Sequence, residues 1–148
     1  MHDVQIREAG ERDLPGVLRV YAQPGVDDGE VSSEEEARAH FRRFQRYPDY
    51  RLYVAVAAGE IVGTFALLIM DNLAHRGAPS GVVEDVAVRP DLHGRGIGRQ
   101  MMAFARERCR EAGCYKMALS SNMKRTAAHT FYESLGFERH GYSFAIHP

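Results

Sequence analysis

From Val82 to Met102 the chain reads VVEDVAVRPDLHGRGIGRQMM. A valine-rich strand runs into Gly94, Gly96 and Gly98, and a helical pattern starts at once. Glycine admits backbone angles other residues avoid and lets a ligand come close to the main chain. The first amides of a helix have no partner within it and lie at the positive end of its dipole. Together these features make an anion site, and Arg95 and Arg99 add positive charge there. The chemistry implied is the holding of a phosphate or diphosphate. Just upstream, Glu84 and Asp85 sit side by side in an apolar run, which buried strands rarely tolerate without a purpose. Alternation predicts that they lie on opposite faces. Either carboxylate can take a proton from an attacking nucleophile, directly or through water; either can equally hold a substrate or form an ion pair. Val82, Val83, Val86 and Val88 are apolar enough to pack as core.

Three phosphate-bearing guests compete for the glycine turn. A Walker loop needs Gly-Lys-Ser/Thr after four spacers, which is absent. A dinucleotide fingerprint reads G-x-G-x-x-G with an acid about 20 residues later. Here the glycines run G-x-G-x-G, and Ala118 to Ser121 offers no acid. Coenzyme A is the third guest. A plain glycine-rich turn with no ligand is the remaining alternative.

The elements that must position these groups follow from pattern. Val4 to Arg7 predicts a first strand, and Asp13 a cap for a helix toward Val20 and Tyr21. Gln23 to Glu30 is a loop by its Gly, Pro and Asp content. Ser33 and Glu36 form a capping box for a helix to about Tyr47, ended by Pro48 and Asp49. Leu52–Val56 and Ile61–Met70 predict two strands around Ala58-Gly59. A loop over Asp71–Gly81 and a strand over Val82–Val88 lead into the glycine turn. A helix follows over Ile97–Ala112, with Ile97, Met101, Phe104, Ala105 and Cys109 as its apolar stripe. Gly113 closes it. Tyr115–Leu119 predicts a strand, Thr126–Leu135 a helix closed by Gly136, and Phe137–Ile146 a last strand or pair of strands. The fold class is α/β, of α+β type: a mixed, mostly antiparallel central sheet flanked by helices.

The 148 residues fit one domain, 1–148. Lys plus Arg is 19 and Asp plus Glu is 20, a net charge of −1 that argues against nucleic-acid binding. The opening MHDVQIREAG has no apolar signal core, and no run approaches the ~20 apolar residues of a membrane helix. Cys109 and Cys114, with no bridge suggested between them, read as reduced thiols of a cytoplasmic protein.

On His93-Gly94-Arg95-Gly96-Ile97-Gly98, the preceding VAVRPDLHG and the later FYESLGF, the chain resembles the GNAT superfamily of acyl-CoA N-acyltransferases. That family's loop is Gln/Arg-x-x-Gly-x-Gly/Ala; His93 departs from it at the first position. The resemblance covers roughly Leu52 to Phe144 and implies an acetyl-CoA-dependent transfer to a primary amine, with a homodimer among its assembly states and no metal. It implies that Val86, Ala87 and Val88 present main chain to the pantetheine arm. It implies that His93 to Arg99 hold the diphosphate. It also makes Tyr132 the acid that protonates the leaving thiolate, a role that suits a phenol. Glu84 is the preferred base, with Asp85 next. Asn122 is a candidate coenzyme contact or a turn residue; His129, on the face of Tyr132, is a further contact or a packed histidine; Lys124 and Arg125 can reach a phosphate or stay solvated. EDVAV with GCYK is similar to glucosamine-6-phosphate acetyltransferases, and SSNMKRTAAHTFYESLGF to aminoalkylphosphonate acetyltransferases. Both imply a small polar amine. Tyr21–Tyr47 and Asn72–Ser80 are expected to line its site, with Arg42, Arg43, Arg46, His75 and Arg76 available to an anionic group. A coenzyme-binding module without turnover and an acetyltransferase of protein termini or lysines are the alternatives.

Overall fold

A computed structural model describes residues 3–148. Contacts divide the chain into a larger unit ending at Ala118 and a smaller one, Leu119–Pro148. In the larger unit β1 (Val4–Glu8), β2 (Tyr50–Ala57), β3 (Glu60–Met70), β4 (Ser80–Val88) and β5 (Lys116–Ala118) form one sheet in sequence order. The first four strands are antiparallel neighbours, and β5 joins β4 in parallel. The helices α1 (Leu14–Tyr21), α2 (Glu34–Phe44) and α3 (Ile97–Glu111) belong to this unit. The smaller unit holds α4 (Thr126–Ser134).

Helices cover both faces of the sheet, and neighbouring residues on one strand record it. Val54 packs with Ala66 against Leu14, Val17, Ala37 and Phe41 of α1 and α2. The next residue back, Tyr53, points to the other face, as a pleat requires. There its ring stacks on Phe65 at 5.2 Å and meets Phe104 of α3 edge-on. Leu52 to Ala55 are therefore all buried, a continuous apolar run rather than an alternating one. Each large side chain so buried contributes roughly 1.5–3 kcal/mol.

The site side of the fold depends on one close approach. A Cβ placed on Gly81 of β4 would lie 2.3 Å from Cys109 Sγ of α3. The absent side chain lets α3 lie tight on the β4–β5 junction. Gly81→Ala should cost about 1–3 kcal/mol in urea unfolding, as overpacking does. Cys109→Ala in the same chain should restore most of the loss. A Gly81→Ala chain as stable as the wild type would refute the contact.

Several sequence expectations change. Asp13 does not cap α1. Arg7 grips its carboxylate through two bonds of 2.7 and 2.9 Å, and Gly10 N–H donates a third at 2.7 Å, so a 3-10 turn precedes the helix instead. Those donors hold the Asp13 carboxyl below the ordinary carboxylate range. The capping box at Ser33 and Glu36 forms, but α2 stops at Phe44 because Arg46 and Tyr47 bond three residues back and tighten the last turn ahead of Pro48. β5 spans three residues rather than Tyr115–Leu119. No strand forms over Phe137–Ile146. Its side-chain alternation is strand-like, but a strand needs a backbone partner, and none of the described residues pairs with it.

Candidate active site

The open edge of β4 is the first feature of the site. β5 pairs with Ser80, Gly81 and Val82 and goes no further. From Val83 to Val88, the side of β4 that β5 would occupy carries no strand among the described residues. Val86 and Ala87 lie in this unpaired stretch. The carbonyl of Val88 is already engaged: Gln23 Nε2 donates to it at 3.1 Å and His93 Nε2 at 2.9 Å. A carbonyl only accepts, so Nε2 is the ring nitrogen of His93 that carries the proton. His93 thus ties the glycine turn back to the strand, and Gln23 ties the end of α1 to the same atom. The sequence reading missed Gln23, because nothing local marks a contact 65 residues away.

The turn itself is open. Gly94 and Gly96 have φ of 79° and 83°, the left-handed region that suits glycine. A Cβ on either would meet no atom within 4 Å. Ile97 is buried and anchors the first turn of α3. The amides of Ile97, Gly98 and Arg99 have no partner among the described residues, and Gly96 has no side chain to cap them. Arg95 and Arg99 are exposed and form no ion pair among those residues. Unsatisfied donors, clear space above the backbone and two uncommitted cations fit a diphosphate.

The acids lie at an irregularity in β4. Thr64 pairs with Ala87 and Ala66 with Glu84, so Asp85 and Val86 face the single residue Phe65. The bulge falls at Asp85 and Val86, and Glu84 and Asp85 are both exposed. Asp85 adopts φ of 54°, a left-handed conformation that aspartate tolerates better than most residues. Of the strand's valines only Val83 is buried, with Ala87 beside it. Partial burial raises the Asp85 carboxyl above its ordinary value, and Asp27 raises it further. Asp27 is held there by its amide, which donates to Tyr21 O at 3.0 Å. Burial also raises the Tyr21 phenol, with Asp85 adding to it. Tyr50 is raised by burial, then by Asp85 and Glu84. Its ring stacks on Phe44 at 3.9 Å and meets Tyr47 edge-on at 5.8 Å. Tyr21, Asp27 and Tyr50 thus lie near enough to Asp85 for the charges to influence one another.

Two of the basic residues offered to an anionic group have partners within the protein. Arg42 pairs with Glu11 at 3.0 Å, and His75 stacks on Tyr115 at 4.0 Å. Among the described residues no cluster of His, Cys, Asp and Glu is placed to hold a metal.

Within the smaller unit Tyr132 is buried, between Phe131 at 5.2 Å and the edge of Phe137 at 5.6 Å. Burial raises its phenol above the ordinary value, partly offset by Arg125. Asn122 Oδ1 accepts from Lys124 N–H at 2.9 Å, and its carbonyl accepts from His129 Nε2 at 2.8 Å. Asn122 thus builds the turn before α4, and His129 helps to close it.

A bulged β4, an open strand edge and a glycine turn with free amides coincide with a sequence match. The model of the acetyltransferase (GNAT) family matches residues 17–137. The chain belongs to the GNAT family. Over 138 residues it is 39% identical to a glucosamine 6-phosphate N-acetyltransferase of Trypanosoma brucei brucei, covering 93% of this chain and 91% of that one. It is 34% identical over 97 residues to an aminoalkylphosphonate N-acetyltransferase of Salmonella typhimurium, a match spanning 66% of this chain and 62% of the relative. The crystal structure of a Trypanosoma brucei acetyltransferase superimposes with a TM-score of 0.84 at 29% identity, covering 99% of this chain and all of the other. The GNAT assignment makes this chain an acetyltransferase and agrees with the mixed, helix-flanked sheet expected from sequence. No helix among the described residues is long and apolar enough to cross a membrane.

Proposed function

We propose that residues 1–148 act as a single N-acetyltransferase domain that moves acetyl from acetyl-CoA to the primary amine of a small polar molecule. The observation that carries this is the glycine turn: at the start of α3, under open space, the amides of Ile97, Gly98 and Arg99 have no partner and Arg95 and Arg99 no ion pair among the described residues. The amides of Ile97, Gly98 and Arg99 hold the diphosphate. The unpaired edge at Val86 and Ala87 bonds the pantetheine arm. The amine nitrogen bonds to the thioester carbon as the carbon–sulfur bond breaks. Asp85 takes the proton the amine loses, directly or through water. Tyr132 gives its phenolic proton to the departing thiolate, and water replaces it. Amine acceptors of the glucosamine 6-phosphate and aminoalkylphosphonate kind are the first to test, on the names of the relatives. The two free cysteines fit a reducing, cytoplasmic compartment.

Asp85 is preferred to Glu84 as base because it sits at the bulge in a left-handed conformation near Tyr21 and Asp27, and partial desolvation raises its carboxyl above its ordinary value. A base works deprotonated, so kcat/KM should rise as pH rises through the Asp85 pKa, which lies above its ordinary value. Asp85→Asn should remove that limb and lower kcat roughly tenfold to hundredfold, the low end of general-base effects. Glu84→Gln should change kcat less than about threefold. A reversed ranking would move the role to Glu84. The whole reading is tested by thiol release from acetyl-CoA across a panel of small amines, phosphorylated amines and peptides. Turnover with small amines supports it; coenzyme binding with no turnover on any acceptor, or turnover on peptides alone, overturns it.

A further inference from the structure

The glycine turn hangs from few tethers. Among the described residues, 90–95 bond to one another, to Arg89 and, through His93, to Val88. Asp91, the partner of Arg89, is exposed, and an ion pair in water contributes little. Gly94 and Gly96 leave the backbone free to take many shapes. The contact of His93 Nε2 with Val88 O at 2.9 Å is therefore the tether that places the turn against β4.

Gln23 fixes the other end of that tether. It lies just beyond the last residue of α1, and its side-chain amide gives away both protons. One goes to Val20 O at 2.8 Å, a carbonyl left over at the helix end. The other goes to Val88 O at 3.1 Å, across a separation of 65 residues. The carbonyl of Gln23 accepts from the Val26 amide at 3.2 Å, so the chain folds back at this residue. A carbonyl oxygen has two lone pairs, and on Val88 Gln23 and His93 take both. One atom thus joins the end of α1, the end of β4 and the turn. A peptide held by one donor can swing about it; a peptide held by two donors from different elements cannot.

We propose that Gln23 is a positioning residue for the coenzyme. With His93 it clamps the Val88 carbonyl, and so holds the turn in the shape that presents the amides of Ile97, Gly98 and Arg99. It acts through Val88 and His93 rather than by touching the coenzyme. The proposal rests on the reading of that turn as the diphosphate site. A turn already in its bound shape loses less freedom when the ligand arrives, so loss of the clamp is read in coenzyme affinity.

Isothermal titration calorimetry with coenzyme A tests it. Gln23→Leu keeps the size of the side chain and removes both donors; it should raise the dissociation constant about tenfold, and His93→Phe should do the same. Because the two donors act on one atom, the double variant should lose about tenfold to twentyfold, not about a hundredfold. A Gln23 that only caps α1 would give losses that multiply. Circular dichroism of each variant should match the wild type. The wild-type chain supplies a measurement free of any substitution: the side-chain amide protons of Gln23 should exchange with water at least about tenfold more slowly once coenzyme A is saturating. Unchanged affinity in Gln23→Leu, multiplying losses in the double variant, or Gln23 protons indifferent to coenzyme A would overturn the clamp and leave the acetyl transfer standing. A wild-type chain that binds no coenzyme A would overturn both.

Discussion

Gly96→Asp should raise the dissociation constant for coenzyme A at least about 100-fold in isothermal titration calorimetry. Two effects add. At φ of 83° a side chain costs about 1–2 kcal/mol of backbone strain. The carboxylate also stands among amides and arginines proposed to face a diphosphate, and like charges at short range in a partly desolvated site cost several kcal/mol. The fold itself should barely notice, because a Cβ here meets no protein atom within 4 Å. Gly96→Ala separates the two terms: it keeps the strain and omits the charge, so it should lose about tenfold. A Gly96→Asp chain that binds coenzyme A like the wild type would take the turn out of the site.

Tyr132→Phe should lower kcat about 1,000-fold, within the range for loss of a general acid. The dissociation constant of acetyl-CoA should change less than about threefold. The ring is kept, so its contacts with Phe131 and Phe137 and the burial they create persist. Only the proton is removed. Burial raises the Tyr132 phenol, so the wild-type group stays protonated across the neutral range, as a donor must. A loss of stability equal to the loss of rate would mark Tyr132 as a packing residue instead.

The glycine turn was legible because it is local. Glycines at spacing two, a helix signal and two arginines fit within seven residues, and the conformation they demand is the one found. The capping box at Ser33 and Glu36 was readable for the same reason. What failed was long-range. Asp13 carries every mark of a helix cap, yet Arg7 from β1 takes its carboxylate, and no local rule sees that competitor. The exposure of Glu84 and Asp85 was not read from their apolar neighbours, because the bulge set by pairing to β3 is not written in the strand itself. Phe137–Ile146 has strand-like chemistry and no strand, because pattern specifies a face and not a neighbour. The carbonyl of Val88 accepts from Gln23 and His93, tertiary contacts that no local pattern marks.

The early parting of β4 and β5 also bears on which substitutions the chain can absorb. The atoms proposed to meet a guest at Val86 and Val88 belong to the peptide groups, which every residue but proline supplies in full. The side chains of these two residues, neither of them buried, are free to drift between valine, isoleucine, alanine or threonine while the peptide groups stay the same. Selection on that stretch should therefore fall on shape and on the exclusion of proline, and the identity of a bound thioester would be read by a surface whose own lettering is nearly blank.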